Sequence, residues 1–467
     1  WREHAGSTSL GMGVKSYALD SGVRAITSHL ERVGVAGSVQ PSSRGYYTVA
    51  YEAPTPPPKV TIIIPTRNQL DLLKTCTESI RARTAYANYE LLVVDNGSDC
   101  PETLAWLDEE KTAGALAVLR DAGPFNFARL NNSAVKAVTS EFVLLLNNDV
   151  EVLSEDWLDK LVATASQADV GAVGAKLLYE DGAIQHVGVI GGIGGSAGHA
   201  FKGARGDSLG YYFRAAIRSE FTAVTGACLL VRRDKYLAVG GLDEVAFGVA
   251  FNDVDLCWKL HAAGYRNIVC PAAQLIHYES KSRGYEDSPD KQRRFAVERA
   301  RLRWRWQSII DDDPAYNPNL SRDDEFFTHE RRFSMRTQSS LARAASPDDF
   351  DGLMLNLSPE DAPLVQLLKL LDQRPLIYVA LCGCKDLAVQ LASARPTWLV
   401  QEWREVQCDH GKTEHAGAVE TLSQPVPDVD LFICSQACGC APSAHDGWMT
   451  AMRSSGVIVY ALHTRFA

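Results

Sequence analysis

Short apolar runs alternate with helical patterns through the middle of the 467-residue chain. Three runs, Val60–Ile64, Glu90–Val94 and Glu141–Leu146, are rich in branched apolar residues and predict buried parallel strands, the first of them ended by Pro65. A helical pattern follows each of these runs. Because strands that alternate with helices form parallel sheets, residues 59–280 are predicted to fold as an α/β domain with an open, mostly parallel sheet.

Helix boundaries in this region are predicted from apolar spacing and from capping residues. Leu73, Cys76 and Ile80 have the i, i+3, i+7 spacing of one buried helical face. Asn68 is predicted to be the N-cap of this helix, because short polar side chains accept hydrogen bonds from the first free amides. Ser154 is predicted to begin a later helix.

Two further segments flank the α/β domain. The proline-rich stretch Glu52–Lys59 predicts an extended linker. It follows an N-terminal accessory segment with a helix near Gly22–Val33 and a strand at Tyr46–Tyr51. Arg293–Trp306 predicts a basic helix, which is either a packing helix with a solvated basic side or a docking surface for an anionic partner.

A second α/β unit is predicted near the C-terminus from four apolar runs, at residues 375–381, 397–400, 429–434 and 456–462. The expected domain organisation is an accessory segment and linker over residues 1–58, the main α/β domain over 59–310, a linker over 311–346 and a second, smaller α/β domain over 347–467.

Charge and composition narrow the function classes. The net charge is −10, from 47 basic and 57 acidic side chains, and this acidic balance argues against a general nucleic-acid binder. No apolar run approaches the roughly 18 residues that cross a bilayer. Eleven irregularly spaced cysteines fit reduced thiols in a cytoplasmic protein.

Polar side chains follow each of the three predicted central strands. The groups are Thr66-Arg67-Asn68, Asp95-Asn96 and Asn147-Asn148-Asp149. Open parallel sheets bind ligands at the carboxyl ends of their strands, so these groups are expected to line one site. A divalent cation held by a carboxylate there could neutralise a departing pyrophosphate, although the last tripeptide alone could also be a plain turn.

Five motifs occur in an order that closely resembles the inverting family-2 glycosyltransferases. They are Val60–Asn68, Leu91–Ser98, Phe142–Asp149, Gly226–Cys228 and Phe251–Trp258. The resemblance covers about residues 58–285 and implies the GT-A nucleotide-sugar fold, followed here by the smaller C-terminal α/β domain.

The resemblance implies a donor site at the strand ends. Pro65, Thr66 and Asn68 match the loop that lines the nucleotide. Asp95 and Asn96 match the paired acidic positions that hold the base and the ribose, with the second acid replaced here by an amide.

Two more residues are assigned to the donor. The resemblance places Asn148 beside the nucleotide sugar. Arg129 could reach the diphosphate from the helix that follows, and a solvated helix arginine is the alternative interpretation.

A metal site is implied by the third motif. Asp149 matches the last acid of the family's Asp-x-Asp motif, whereas Asn147 replaces its first acid. His277 lies where many relatives have a further metal ligand, with a partly buried structural histidine as the alternative. The expected cofactor is Mn²⁺ or Mg²⁺, and an imidazole ligand suits Mn²⁺ better.

The catalytic base implied by the resemblance is Asp253, with Asp255 as the adjacent alternative. A carboxylate close to the acceptor hydroxyl can take its proton as the new bond forms. Asp253 could instead simply cap the helix Val254–Ala263. Asp243 and Glu244 resemble the acceptor-side loop of the family.

The implied activity is metal-assisted sugar transfer from a nucleotide-diphosphate donor to a hydroxyl of a growing glycan. Asn126-Phe127 and His277–Gly284 are similar to bacterial surface-polysaccharide (O-antigen) transferases of the rhamnosyl type. The expected acceptor is a lipid-linked or polymeric saccharide. The expected location is the cytoplasm, with peripheral attachment at the inner face of the membrane or in a synthase complex.

Two other function classes stay open at this point. A non-catalytic module that binds nucleotide sugars or glycans would be consistent with Asn147 in place of an acid. A serine hydrolase would use Ser196 in the glycine-rich segment Gly191–His199, but a nucleophile elbow needs a helix directly afterwards. We therefore interpret that segment as a mobile loop near the acceptor cleft.

The C-terminal cysteines have two interpretations. Six cysteines follow residue 380, and with His410 they could form a tetrahedral metal site. Their C-x-C spacings are unlike the usual metal-binding knuckles, so free buried thiols are the preferred prediction.

Overall fold

The computed structural model describes residues 16–42, 44–278 and 288–328, together with the backbone of four strands beyond residue 377. Two compact units are found, one of residues Trp1–Tyr285 with Ser308–Glu330 and the other of Glu286–Gln307 with Arg331–Ala467. The domain boundaries given above stay predictions.

The helices of the described residues are α1 (Ser16–Val33), α2 (Leu70–Ala82), α3 (Pro101–Thr112), α4 (Phe127–Ala137), α5 (Trp157–Ala165), α6 (Arg233–Ala238), α7 (Asn252–Ala262) and α8 (Pro289–Asp311). None of these helices is both long enough and apolar enough to cross a membrane.

The strands of the first unit are β1 (Gly37–Pro41), β2 (Tyr47–Tyr51), β3 (Val60–Thr66), β4 (Tyr89–Asp95), β5 (Ala117–Arg120), β6 (Phe142–Leu146), β7 (Val150–Val152), β8 (Val170–Leu178), β9 (Ile184–His186), β10 (Val189–Gly191), β11 (Ala197–His199), β12 (Ser219–Phe221), β13 (Cys228–Arg232) and β14 (Arg266–His277). Those of the second unit are β15 (Tyr378–Cys382), β16 (Leu399–Trp403), β17 (Val419–Leu422) and β18 (Leu431–Cys434).

The central sheet has ten strands and runs in the order β12-β14-β8-β13-β6-β3-β4-β5, with β7 paired to β14 and β9 paired to β8. Strands β6, β3, β4 and β5 are parallel, as are β8 and β14. The antiparallel strand β13 joins these two parallel parts. The predicted fold class, α/β with an open and mostly parallel sheet, is confirmed for this unit.

Helices pack on the sheet through one continuous apolar core. Ile64 of β3, Leu73 of α2, Leu144 of β6 and Trp157 of α5 are fully buried members of this core. Burial of each of the three aliphatic side chains, Ile64, Leu73 and Leu144, stabilises the fold by about 1.5–3 kcal/mol. The strands are buried on both faces, which is why they have continuous apolar runs rather than alternating ones.

The first central strand is longer than predicted, because it continues through Pro65 to Thr66. Strand β3 pairs with β6 only as far as Ile63 opposite Leu145, whereas it pairs with β4 up to Thr66. Beyond Ile63, one side of the strand has no ladder partner among the strands that the structure describes. A proline, which has no amide hydrogen to donate, is tolerated at such a position.

The predicted cap of α2 is wrong. The helix begins at Leu70, and its N-cap position is Gln69, whose side chain makes no capping hydrogen bond. Asn68 has a left-handed backbone with φ 54°. Its side-chain oxygen instead accepts the amides of Asp99 and Cys100, both at 3.1 Å, just before α3. Asn68 therefore bonds to a loop that lies 31 residues further along the chain, and it does not cap the helix that follows it directly.

Other predicted boundaries differ by smaller amounts. The helix expected from Ser154 begins three residues later, at Trp157. The N-terminal helix and strand are found as α1 and β2, and β2 pairs with the unpredicted strand β1. The predicted basic helix lies within α8.

Strands of the second unit form a four-stranded parallel sheet in the order β17-β16-β15-β18. Three of these strands overlap the predicted ones, and β17 was not predicted. The fourth predicted run, residues 456–462, lies outside the described residues, as do the side chains of the six C-terminal cysteines and His410. The five cysteines whose side chains are described are all free thiols.

Candidate functional site

The carboxyl ends of β3, β4 and β6 meet at one edge of the sheet. Asn148 donates a side-chain hydrogen bond to Thr66 Oγ1 at 3.0 Å, and the amide of Asn96 donates to the carbonyl of Thr66 at 2.8 Å. Thr66 therefore links the loop after β6 to the end of β4. These contacts follow from the parallel register, which aligns Thr66 with Asp95.

Two buried acceptor atoms lie at the end of β4. Asp95 is fully buried and accepts the amide of Ser98 through Oδ1, while its Oδ2 lies 3.5 Å from Arg120 Nε. Asn96 donates its amide hydrogens to the carbonyls of Asp121 and Gly123, both at 2.9 Å. Its Oδ1 is buried and has no hydrogen-bond partner among the residues that the structure describes. Such an acceptor suits an N–H or O–H group of a nucleoside.

Arg129 is held by the loop before α4. Its guanidinium pairs with the carboxylate of Asp121 and donates to the carbonyl of Pro124 at 2.7 Å. The hydrogen bond from Arg129 lowers the pKa of the Asp121 carboxyl below its usual value. The guanidinium is thus placed at the loop that also contacts Asn96, rather than being solvated along the helix.

Asp149 and His277 face each other at the point where β7 pairs with β14. His277 Nε2 lies 3.1 Å from Asp149 Oδ1, and both residues are buried. The antiparallel register places His277 opposite Val150, and the amide of Tyr278 donates to the carbonyl of Asp149 at 2.9 Å. The pair is therefore fixed by backbone pairing on both sides.

Two amide side chains complete the surroundings of His277. Asn147 Nδ2 lies 3.2 Å from His277 Nε2, and Gln185 Nε2 lies 2.8 Å from His277 Nδ1. Gln185 Oε1 is buried and has no hydrogen-bond partner within the described part of the chain. Within the part of the chain that the structure describes, no group of three His, Cys, Asp or Glu side chains is arranged to hold a metal ion.

Asp253 lies in the first turn of α7. Its Oδ2 accepts the amide of Gly226 at 2.7 Å, and its Oδ1 accepts the amide of Val254 at 2.8 Å. The N-cap position of α7 is Phe251, which makes no side-chain cap. The carboxylate thus reaches from the helix to the turn before β13, which the capping interpretation does not explain.

The turn at Gly226 joins the two halves of the site. The carbonyl of Ala227, the next residue, accepts the amide of Asn147 at 3.1 Å. One dipeptide therefore contacts both Asp253 and the loop that carries Asp149, so the two carboxylates belong to the same edge of the sheet.

The acceptor-side candidates are tied into the protein. Asp243 Oδ1 accepts the amides of Val245 and Ala246 at 3.0 and 2.8 Å, which forms a tight turn. Glu244 Oε1 accepts the side-chain amide of Asn132 on α4 at 2.8 Å. These contacts place the Asp243-Glu244 loop against α4.

Asp255 differs from its neighbour Asp253. It is fully buried and pairs with Lys259, one turn along α7, at 3.1 Å. Lys259 also donates to the carbonyl of Gly241 at 2.6 Å. This arrangement indicates that Asp255 anchors α7 to the Gly240-Gly241 turn.

Three residues near the site were missed by the sequence reasoning, namely Gln185, His186 and His199. Gln185 and His186 belong to the three-residue strand β9, which pairs with β8 across a register irregularity. A strand this short has no periodicity from which its facing residues could be read.

The glycine-rich segment forms a short hairpin rather than a loop. Strands β10 and β11 pair antiparallel around a 3-10 turn at Ile193–Gly195. Ser196 is buried and is followed by β11, not by a helix. This structure contradicts the nucleophile elbow that a serine hydrolase would need.

A family model described as Glycosyl transferase family 2 matches residues 61–234. The chain is 47% identical over 325 residues to the uncharacterized protein y4gI of Sinorhizobium fredii, a match that covers 69% of this chain and 36% of that protein. It is 38% identical over 319 residues to the O-antigen biosynthesis protein RfbC of Myxococcus xanthus, covering 68% and 24% respectively. The chain thus spans 36% of the length of the first relative and 24% of the length of the second.

Among solved structures, the mannosyltransferase PcManGT of Pyrobaculum calidifontis, determined in complex with GDP-Man and Mn²⁺, is 21% identical with a TM-score of 0.41. That alignment covers 57% of this chain and 68% of the mannosyltransferase.

Proposed function

We propose that this chain, which carries a glycosyl transferase family 2 domain at residues 61–234, transfers a sugar from a nucleoside-diphosphate donor to a hydroxyl of a saccharide, with inversion at the anomeric carbon. The single observation that carries the proposal is the turn at Gly226. It contacts both Asp253 and the loop of Asp149, so a base and a diphosphate site share one edge of the sheet.

The donor nucleotide would lie against the ends of β3 and β4. Asp95 and Asn96 present buried acceptor atoms there, and Thr66 with Asn148 forms the adjoining wall. Pro65 extends the same strand end. Asn68 supports this wall indirectly, because its side chain ties the loop of Asp99 to the end of β3. The guanidinium of Arg129 adds positive charge beside that loop.

A divalent cation, Mn²⁺ or Mg²⁺, fits the pair of Asp149 and His277. Neighbouring ligands of an octahedral ion at ~2.1 Å lie about 3 Å apart, and the two facing atoms are 3.1 Å apart. When bound, the cation would neutralise charge that develops on the leaving diphosphate. Two protein ligands are few, but ions that bind nucleotides commonly take their remaining ligands from phosphate and water.

Gln185 is suited to hold His277 ready for the cation. A metal-bound imidazole must leave Nε2 free of a proton, so Nδ1 then carries it and needs an acceptor. The buried Oε1 of Gln185 has no hydrogen-bond partner among the described residues, and rotation of the amide would bring it to Nδ1.

Asp253 would be the general base. Its carboxylate accepts the acceptor's hydroxyl proton while the hydroxyl oxygen bonds the anomeric carbon and the bond from that carbon to the diphosphate breaks. The products are the glycoside, the nucleoside diphosphate and protonated Asp253. The amides of Gly226 and Val254 hold the carboxylate in one orientation for this step.

The saccharide class is inferred from the relatives and the motifs. The Myxococcus relative is named for O-antigen biosynthesis, which supports a bacterial surface polysaccharide as the product. The motif Asn126-Phe127 favours a rhamnosyl donor. We propose a lipid-linked or polymeric acceptor, reached from the cytoplasm at the inner face of the membrane or within a synthase complex.

The test is a panel of nucleotide sugars added to the purified chain with and without Mn²⁺. A bound donor at 100 times its dissociation constant should stabilise the fold by about 2.7 kcal/mol, which raises the melting temperature. A hit is then offered saccharide acceptors, and the anomeric configuration of the product is read by NMR. Inversion is expected.

Two outcomes would contradict the proposal. Absence of a melting shift with every donor would argue against donor binding. Donor binding without transfer to any saccharide would favour the non-catalytic module, provided that Asp253→Asn also leaves donor binding unchanged. The presence of Asn147 in place of an acid is the observation that motivates this alternative.

A further inference from the structure

Strand β9 touches both halves of the proposed catalytic centre through two consecutive side chains. Gln185 contacts His277 on the cation side at 2.8 Å. His186 accepts the amide of Thr225, at 3.4 Å, and Thr225 directly precedes the glycine that holds Asp253. Gln185 has a proposed role in orienting His277 at the cation site. His186 contacts the side of the site that holds Asp253, and no role has been assigned to it so far.

His186 is fully buried and has two nitrogen partners. Its Nε2 faces the amide of Thr225, and its Nδ1 lies 3.1 Å from Nδ1 of His199. The two rings meet edge to face with centroids 4.9 Å apart. Because an amide can only donate, His186 Nε2 carries no proton. In the neutral ring the proton is therefore on Nδ1, which donates a hydrogen bond to Nδ1 of His199.

The surroundings of His186 keep it neutral. Burial lowers its pKa well below the usual value, and the neighbouring rings of His199 and His277 add to this effect. A charged imidazole would place a proton on Nε2 against the amide of Thr225. The neutral ring is the form that this contact requires.

We propose that His186 is a positioning residue for Asp253, acting by holding the amide of Thr225 and thereby the turn whose next amide, at Gly226, holds the carboxylate. This inference rests on the proposed function, in which Asp253 is the base. Two hydrogen bonds connect the residues. The amide of Thr225 donates to the imidazole of His186, and the next amide, that of Gly226, donates to the carboxylate of Asp253.

The geometry explains why this contact matters for rate more than for donor binding. At the donor wall, Thr66, Asp95 and Asn96 are held by hydrogen bonds to the loops that follow β4, β5 and β6, whereas His186 accepts the amide of Thr225, in the turn that holds Asp253. Without the His186 acceptor, the turn at Thr225 is free to shift, and the carboxylate shifts with it. A displacement of about 1 Å from productive geometry can cost roughly 100-fold in rate.

The experiment compares His186→Gln with His186→Met. The two side chains are nearly equal in size and flexibility, but only glutamine supplies an oxygen that can accept the Thr225 amide. We expect the Met variant to lose about 10- to 100-fold in kcat, with unchanged donor affinity by calorimetry, and the Gln variant to retain most of the rate. His186→Leu provides the same comparison if the Met variant does not fold.

A double-mutant cycle separates positioning from general structural support. In an Asp253→Asn background, His186→Met should cause no further loss of rate, because the group it positions is already gone. Additive losses in the cycle would overturn the inference, as would equal kcat values for the Gln and Met variants. If Asp253→Asn alone leaves kcat unchanged, the proposed function itself fails, and the assigned role of His186 fails with it.

Discussion

His277 Nε2 lies 3.1 Å from Asp149 Oδ1, at the junction where β7 pairs with β14. The two atoms come from residues that are 128 positions apart, yet the backbone register brings them to the spacing of neighbouring ligands on one cation. Asn147 approaches the same imidazole nitrogen at 3.2 Å, so the residue that replaces an acid of the family motif still faces the proposed ion.

This relationship predicts that Asn147→Asp binds Mn²⁺ more tightly. The change adds a negative oxygen ligand beside Asp149 and His277, and affinity for hard cations rises with ligand charge. We expect roughly tenfold tighter binding without donor, measured from the signal of free Mn²⁺ by electron paramagnetic resonance.

Asn148→Asp is the matched control for that change. Asn148 donates to Thr66 and not to His277, so its replacement should leave Mn²⁺ affinity nearly unchanged. Equal gains for the two variants would mean that added charge, rather than the position of Asn147, controls the affinity. Conversely, His277→Ala should weaken Mn²⁺ binding about 10- to 100-fold.

A second prediction separates two acids on the same helix. Asp253→Asn removes the proposed base, so kcat should fall about 10²- to 10⁴-fold while donor affinity stays the same. Asp255→Asn should keep the rate but lower the free energy of unfolding by about 1–3 kcal/mol, because it leaves the ammonium of Lys259 without its anionic partner.

Rate assays, calorimetry with the donor and urea unfolding of both variants distinguish these roles. If Asp255→Asn loses the rate and Asp253→Asn does not, the assignment of the base is reversed.

The extent to which the sequence predicted this site depends on how local each contact is. Thr66 and Asp95 are the last residues of β3 and β4, and Asn148 follows β6. These strands are recognisable from their apolar runs, and parallel pairing brings their ends together. Asp253 and His277 were assigned through the family resemblance, since nothing in their neighbouring residues distinguishes a base or a ligand from an ordinary polar side chain.

Contacts between distant segments were not predictable in this way. Asn68 has the sequence setting of a helix cap, but the loop before α3 offers its side chain two amides instead. Gln185 and His186 were missed because their positions depend on a register irregularity between β8 and β9. Such irregularities arise from tertiary packing and leave no signal in a strand of three residues.

A third prediction concerns the space beside the proposed base. A Cβ on Gly226 would lie 3.3 Å from Cβ of Asp253 and 3.6 Å from its Oδ2. Gly226→Ala should therefore push the carboxylate away by a few tenths of an ångström. We expect a loss of kcat of about tenfold, with donor affinity and Mn²⁺ affinity retained. Kinetics at saturating donor and acceptor check this expectation, and an unchanged kcat would show that Asp253 tolerates displacement.

The last prediction concerns pH and the segment after α8. Asp313 is buried, and its Oδ2 accepts the amide of Gly191 at 2.6 Å and the hydroxyl of Thr222 at 2.7 Å. Its Oδ1 accepts the amide of Ala315 at 2.8 Å. Burial raises the pKa of Asp313 above its usual value, although the three hydrogen bonds oppose this shift.

The sign of the resulting pH dependence follows from proton uptake. In the unfolded chain an aspartate titrates near ~3.9, so between that value and the raised pKa the folded protein binds more protons than the unfolded one. The contribution of Asp313 to the free energy of unfolding therefore falls as pH rises through this window and is constant above it. Asp313→Asn does not titrate at this position, so the stability of the variant relative to the unmodified protein should rise across the same window.

Urea unfolding measures this difference at a series of pH values that runs from well below ~3.9, which the Asp207 control needs, to above the Asp313 window, whose lower end is ~3.9. Asp207→Asn is the control of opposite sign, because the exposed carboxyl of Asp207 has its pKa lowered by its hydrogen bond to Arg205. The Asp207 contribution is present above the unfolded pKa and is lost as pH falls. If the Asp313 difference also falls with rising pH, then the three hydrogen bonds outweigh burial, and Asp313 stabilises the fold as an anion.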